Sequence, residues 1–528
     1  MSRWRLAAAA TLAVWCAVML LVRRTPAITD DWQGWRQADT QAIARNLAFE
    51  DADPLRPRID WRGDGPGFVE TELQLYPTLI AAVMRATGES VWPGQLISLG
   101  CVALSAALLF IALARRFGEP AGYAALIAIL GHRGMVAMST SIQPDALALL
   151  AFTVGLVAFV SYLEACAWTP LGPSGSADLR VRRRARRRLV VWIAATAIAG
   201  LVKPTTLELG IVQFVLVALE RRRRALADAW LWIGWAIVLG VVAGYMVYAR
   251  SLYVTYGNTF GVLSGGDSKL PACAMLGDRD TWLGLARYSL HWGVGFPAIP
   301  AALYLLWRRQ LGAAPIALAI GAVALCLVAM RYTSGPFGTH YHLPHVVLGG
   351  WLVAAAAADV VPFVRTRFAR RADRIVRGLL AALAVAALIA TWRGLHFVRA
   401  LPAEPETAIG ERLATRAAPG TLVAVRVRAE AYNTEWQTAN NYEDPRVFYL
   451  SRTHGWAVPN DLTGPAGPAR LTELAAHGAK FYVHVRQYPI DDALAAWLAG
   501  HATRVDQLPE GEIYQLATEA SSAAPRTK

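Results

Sequence analysis

Apolar blocks of about 20 residues recur along the first 392 residues of this chain, and most are closed at one end by arginines. A block of that length crosses the hydrocarbon core of a bilayer as a helix, because lipid leaves no other partner for the backbone N–H and C=O groups. The fold class this implies is an α-helical polytopic membrane protein. Composition agrees, with 55% of 528 residues hydrophobic and a mean hydropathy of +0.34. The blocks predict about eleven transmembrane helices, running from Leu6–Val22 through Gly122–Met138, Leu189–Val202 and Leu207–Leu219 to Gly378–Trp392. The first block is led by Arg3 and Arg5 and has no small-residue cleavage pattern before Arg23 and Arg24. It is therefore expected to stay as a span and not to be removed as a signal peptide.

A net charge of +14 would suit a nucleic-acid binder, but the densest basic runs, "RVRRRARRR" and "ERRRRA", lie in short connections between apolar blocks. Such connections remain cytoplasmic. An odd number of spans then leaves the N-terminus in the cytoplasm and everything after Arg393 outside. The same logic places residues 24–93, the turn at Gln143, Lys203-Pro204, Ser251 to Ser289 and Arg331 to His342 on the outer, periplasm-like face. Cys16, Cys101 and Cys326 fall within apolar blocks, Cys166 beside a basic loop and Cys273 in an outer polar segment. No disulfide and no metal-ligand spacing is read from them.

After Trp392 the composition turns soluble. "TLVAVRV", "RVFYLS", "AKFYVHV" and "EIYQLA" read as strands, while "ARLTELAAHG" and "IDDALAAWLAGH" read as helices. The expected organisation is a transmembrane domain over residues 1–392, with residues 24–93 forming a first outer loop that holds interfacial helices. A C-terminal periplasmic α/β domain follows over 393–518, then a disordered tail over 519–528.

The outer face collects the residues with chemical potential. In "WRQADTQAIARN", helical spacing puts Trp35, Asp39, Ala42 and Asn46 on one face, with Ile43 and Leu47 on a strip suited to the bilayer interface. Asp39 at such a boundary is either a proton acceptor or an i,i+3 partner of Arg36, and Asp30 with Asp31 is either a second acidic site or a solvated pair. Glu70, Glu72 and Tyr76 follow in a Gly- and Pro-punctuated loop. Lys203, one of few lysines in an arginine-rich chain, is either an anion ligand or a snorkelling side chain, and Arg331 is an anion ligand or an interfacial anchor. His340 and His342 open the tenth apolar block, and Asp145 follows Pro144 at a helix start.

"WRQADTQAIARN", "DWRGDGPGFVETELQLYP", "SIQPDALALLAF" and "THYHLPHV" together resemble the GT-C superfamily of membrane glycosyltransferases. The likeness is to bacterial relatives of protein O-mannosyltransferases and of the lipid A aminoarabinose transferase, a family 39-like pattern covering Leu6 to about Trp392. It implies transfer of a sugar from a polyprenyl-phosphate donor to an acceptor hydroxyl at the outer membrane face, with a first-loop acid as base. Asp39 matches that acid best. Relatives commonly carry Asp-Glu where this chain has Asp39-Thr40, so Asp30 and Asp31 stand as alternates. The resemblance further implies donor-phosphate contacts from Lys203, Arg331, His340 and His342, and sugar or acceptor contacts from Glu70, Glu72, Tyr76 and Asp145. In the C-terminal domain, Tyr442, Arg452 and Trp456 are candidate acceptor contacts by position. No metal ligand is expected; no cofactor is required, although a divalent cation is compatible with the superfamily. The expected partners are the lipid-linked donor, a glycan, lipid or protein acceptor, and the membrane itself, with no nucleic acid. The rival reading is a polytopic transporter or lipid flippase, disfavoured because the acids lie in outer loops and no internal repeat is visible.

Overall fold

The computed structural model describes residues 2–167, 176–221, 228–264, 270–427, 432–433, 438–439 and 443–517. Tyr442 and the tail 519–528 lie outside the described residues. The chain divides into two compact units: Met1–Arg24 with Gly94–Tyr245 and Lys269–Ala400, and Thr25–Pro93 with Met246–Ser268 and Leu401–Lys528.

The first unit is helical. Among the described residues, six helices are long and apolar enough to cross a membrane: Arg3–Arg23, Trp92–Phe117, Asp145–Ala165, Ala229–Tyr256, Thr339–Arg367 and Ala372–Arg399. A seventh arises if Arg279–Val294 and Ala298–Trp307, bent by 97°, form one broken span. Among the described residues fewer single helices of that length stand than the about eleven apolar blocks, for local reasons. Gly122–Met138 is two helices, Glu119–Leu130 and Arg133–Met138, split where the His132 ring accepts the Gly134 N–H and starts a new helix. Leu189–Val202 shares the helix Ser176–Val202 with the basic run, and Glu208–Arg221 has only 14 residues.

Lipid offers helices no hydrophobic reason to associate, so close packing at small residues does that work. The helix Val346–Arg367 packs on Glu119–Leu130, where a Cβ on Gly350 would lie 2.6 Å from Ile129 Cδ1. One residue earlier, a Cβ on Gly349 would lie 2.0 Å from the Val294 carbonyl oxygen. Likewise Ala313–Val328 packs on Glu208–Arg221, and a Cβ on Gly321 would lie 2.4 Å from Val212 Cγ2.

The second unit is α/β. Five strands, β1 (Leu422–Arg426), β2 (His454–Val458), β3 (Phe481–Val485), β4 (Ala502–Leu508) and β5 (Gly511–Leu516), lie in the order β2-β1-β3-β5-β4. β1 runs parallel to β2 and β3, while β5 runs antiparallel to β3 and β4. Alternation along β1 sends Val423 and Val425 to one face and Ala424 to the other. On the Ala424 face, the helices Ala466–Ala476 and Asp492–His501 contribute Leu471, Leu474, Leu494 and Leu498. The opposite face buries Ile409, Leu413 and Phe448 together with Ile43, Leu47, Ile59 and Trp61 of the first loop. Ile43 and Leu47 thus belong to a protein core and not to a lipid-facing strip.

"RVFYLS" is a helix, Arg446–Ser451, and not a strand. The Asp444 carboxylate accepts the Arg446 N–H at 3.0 Å and starts the turn, and Val447, Phe448 and Ser451 form its buried side. Two further strands carry no clear strand pattern in sequence: β4, which is largely polar, and β2, whose glycine disguises it. That glycine is needed: Gly455 receives the first loop along the edge of β2, its N–H reaching the Asp60 carbonyl at 3.2 Å and its own carbonyl accepting the Gly63 N–H at 2.6 Å. Gly63 sits at φ +62°, and a Cβ there would lie 2.4 Å from Trp456 Nε1.

Gly321→Val should cost about 1–3 kcal/mol through overpacking, read as a lower unfolding temperature in detergent, whereas Gly240→Ala, in a helix and with no described atom within 4 Å of the added Cβ, should not lower it.

Candidate active site

In the α/β unit the helix Gly34–Phe49 starts after Gln33, which adopts a left-handed φ of +57°. A Cβ on Gly34 would lie 2.0 Å from the Thr29 carbonyl oxygen, so only glycine allows this entry. From Gln37 to Leu47 every residue of the helix is buried, and Asp39 is 4% exposed. Its carboxylate accepts one hydrogen bond, from Trp61 Nε1 at 3.0 Å. Burial holds the Asp39 pKa well above the usual carboxylate range. The Trp61 bond opposes that rise, the nearby Asp444 and Asp60 add to it, and Arg36 opposes it more weakly. The Arg36 guanidinium itself bonds Glu72 at 3.3 Å.

The other acids of this unit are occupied differently. Asp30 accepts the Glu404 N–H at 2.9 Å and the Thr407 hydroxyl at 2.6 Å, and Asp31 accepts the Gln37 amide at 2.8 Å. Glu70, fully buried, accepts the backbone N–H groups of Leu263 and Ser264 at 2.9 and 3.1 Å and the Thr259 hydroxyl at 3.2 Å. It ties down the segment 258–264. Tyr76 is fully buried in the helix Leu75–Thr87. Asp60 pairs with Arg45 and accepts Asn46 Nδ2 at 3.0 Å. Arg452 pairs with Glu89 at 2.9 Å, and the Trp456 ring lies against His477.

In the helical unit three distant motifs converge. Lys203 ends the helix Ser176–Val202 ahead of a 3₁₀ turn, Pro204–Leu207. Its Nζ lies 3.1 Å from Asp145 Oδ1, with both side chains 4% exposed, and 4.9 Å from the centre of the Tyr341 ring. Tyr341 in turn contacts the His340 ring at 4.4 Å and Tyr332, the neighbour of Arg331, at 5.9 Å. His342, 2.9 Å from the Thr333 carbonyl and 3.8 Å from Cys326 Sγ, belongs to a different group. Lys203, Asp145, Tyr341 and His340 therefore form one polar cluster, with Tyr332 at its side.

No family model and no curated protein matches this sequence. Solved structures do match it in shape. ArnT from Cupriavidus metallidurans in the apo state superposes with a TM-score of 0.62 at 16% identity, covering 98% of this chain and 100% of that one. The same protein bound to undecaprenyl phosphate gives 0.59 at 14% identity, covering 97% and 98%. The apo oligosaccharyltransferase of Archaeoglobus fulgidus gives 0.55 at 11% identity, covering 98% of this chain and 75% of that one. The chain has the GT-C fold.

Within that fold, Trp61 is the site residue that spacing along one helix could not supply. It comes from "DWRGD", 22 positions after the acid it holds, and the available signal was the pairing of a Trp with the acid-rich loop. Tyr341 was missed as a contact of Lys203 for the same reason, the two being 138 positions apart in sequence.

A raised Asp39 pKa has a sign. The folded protein binds this proton more tightly than the unfolded chain, so the stabilisation is full below the unfolded carboxyl pKa and is lost as pH rises through the raised value. Asp39→Asn stays neutral and still accepts the Trp61 N–H. It should unfold a few degrees (roughly, by) above the wild type in alkaline buffer and at the same temperature in mild acid, as followed by intrinsic tryptophan fluorescence.

Proposed function

We propose that this protein is a multi-pass plasma-membrane glycosyltransferase that moves a sugar, hexose or pentose, from a polyprenyl-phosphate donor to an acceptor hydroxyl on the extracytoplasmic side. The observation that carries the reading is Asp39: a carboxyl group sequestered from water, held by one neutral N–H donor, with a raised pKa. Such a group is a stronger base than an exposed carboxylate and suits deprotonation of an attacking hydroxyl. With direct attack on the anomeric carbon the transfer inverts configuration. Asp30 and Asp31 are less suited, since both serve as acceptors for neighbouring backbone or side-chain groups.

The leaving group is a lipid phosphate, which needs a cation. Lys203 is proposed for that role, with Arg331 and His340 in support. Asp145 holds Lys203 in place; an incoming phosphate would share the ammonium, which has three donors. In support, one structure of the same fold is described as bound to undecaprenyl phosphate, and another, at a TM-score of 0.53, as bound to an inhibitory peptide and a dolichol-phosphate. Glu72 and the surface bearing Arg452 and Trp456 are proposed to meet sugar or acceptor, while Tyr76 is fully buried in the core and Glu70 contributes by holding segment 258–264. The arginine distribution supports a cytoplasmic N-terminus with residues 25–93 and 401–517 outside.

The test is transfer of radiolabelled sugar from a polyprenyl-phosphate donor by the purified full chain. Asp39→Asn should lower turnover by roughly 10²–10⁴-fold, and Asp30→Asn and Asp31→Asn by less than about tenfold. Lys203→Ala should chiefly raise the KM for donor. Undiminished turnover in Asp39→Asn would remove the base assignment, and donor movement across sealed vesicles with no covalent product would establish a transporter instead.

A further inference from the structure

Four buried side chains from three separate helices meet within the helical unit. Cys326 comes from Ala313–Val328, His342 and His345 from the 3₁₀ turn Thr339–His345, and Glu208 from the head of Glu208–Arg221. Each is at most 5% exposed. The Cys326 sulfur and one ring nitrogen from each histidine all lie within 4.8 Å of one another. Bound to one zinc ion at ordinary Zn–N and Zn–S lengths, such atoms stand roughly 3.3–3.8 Å apart, so a contraction of about an ångström closes the set.

The hydrogen bonds around the group are those a metal site needs. His342 donates from Nε2 to the Thr333 carbonyl at 2.9 Å, which leaves the Nδ1 lone pair facing Cys326 Sγ at 3.8 Å. His345 donates from Nε2 to Glu208 Oε2 at 3.0 Å, and among the described residues its buried Nδ1 has no hydrogen-bond partner. A metal-bound histidine gives its second N–H to a carbonyl or carboxylate in this way, which sets its tautomer and orientation. Without a ligand the arrangement is costly, because a buried acceptor left unbonded costs about 1–3 kcal/mol. Room is kept at the same place by Gly293, where a Cβ would lie 3.3 Å from His345 Nδ1.

We propose that Cys326, His342 and His345 bind a divalent transition metal of the zinc class, with Glu208 orienting His345. One thiolate and two imidazoles suit zinc and its cobalt substitute, and exclude magnesium and calcium, which take oxygen ligands. On binding, the Cys326 thiol proton passes to solvent, so affinity rises with pH. The 3₁₀ turn that supplies both histidines also carries His340 and Tyr341, the latter against Lys203. The metal thereby pins the segment that shapes the polar cluster; its binding does not depend on what that cluster does.

Titration of the tag-free, chelator-stripped full chain in detergent with Co²⁺ tests this. The expected result is a saturable absorbance at one equivalent per chain, with visible bands of a tetrahedral site and a near-ultraviolet thiolate-to-cobalt band, all displaced by Zn²⁺. Cys326→Ser should lose the near-ultraviolet band, and Glu208→Gln should weaken Co²⁺ binding about 10–100-fold. Absence of any saturable band in the wild type would overturn the proposal, whether or not the variants fold. So would a near-ultraviolet band that survives in a monodisperse Cys326→Ser protein.

Discussion

A charge taken out of water must be paired or give up its charge, and that constraint organises both units of this protein. Lys203 and Asp145 neutralise each other at 3.1 Å in the helical unit. In the α/β unit Arg446 bridges Asp444 at 2.6 Å and Glu406 at 3.2 Å, and Arg45 pairs with Asp60. Asp39 is different. Its hydrogen bond comes from an uncharged indole, and burial is the dominant influence on its proton affinity. Where Arg446 and Arg45 pair Asp444, Glu406 and Asp60, burial of Asp39 beside an uncharged donor favours its neutral form, and its pKa is raised.

The position of Asp39 is set by a soluble core, although the first loop follows a membrane span in sequence. Ile43 and Leu47, one turn and two turns beyond the acid, pack among Val423, Val425, Val483 and Ile513, and the loop continues along the edge of β2 through Asp60, Gly63 and Gly455. Asp39 and its Trp61 donor are therefore carried by elements bound into the same sheet. A carboxyl group held this way keeps its geometry through the packing of the sheet alone.

Much of this was legible in one dimension, and the exceptions share a cause. The apolar blocks identified helices because lipid permits little else, and "TLVAVRV", "AKFYVHV" and "EIYQLA" showed true strands because one or both faces are apolar. "RVFYLS" misled because a short helix with Val447 and Phe448 inward carries the same residues as a buried strand. Ile43 and Leu47 misled because an apolar strip looks identical whether it meets lipid or a sheet. "THYHLPHV" suggested no ligand set because its thiol partner lies 16 positions upstream on another helix.

By itself, the sequence determined which segments form long apolar helices and singled out Asp39, Lys203, Asp145 and the histidines as candidates; these follow from local hydropathy, charge and motif, all properties of neighbours along the chain. Only the tertiary structure decided who pairs with whom. That Trp61 holds Asp39, that Lys203 meets Asp145 and Tyr341, and that Cys326 meets His342 and His345 depends on helix packing angles and sheet edges. Those are set by close contacts at Gly321, Gly349, Gly350 and Gly63, where the absence of a side chain allows backbones from remote parts of the chain to approach.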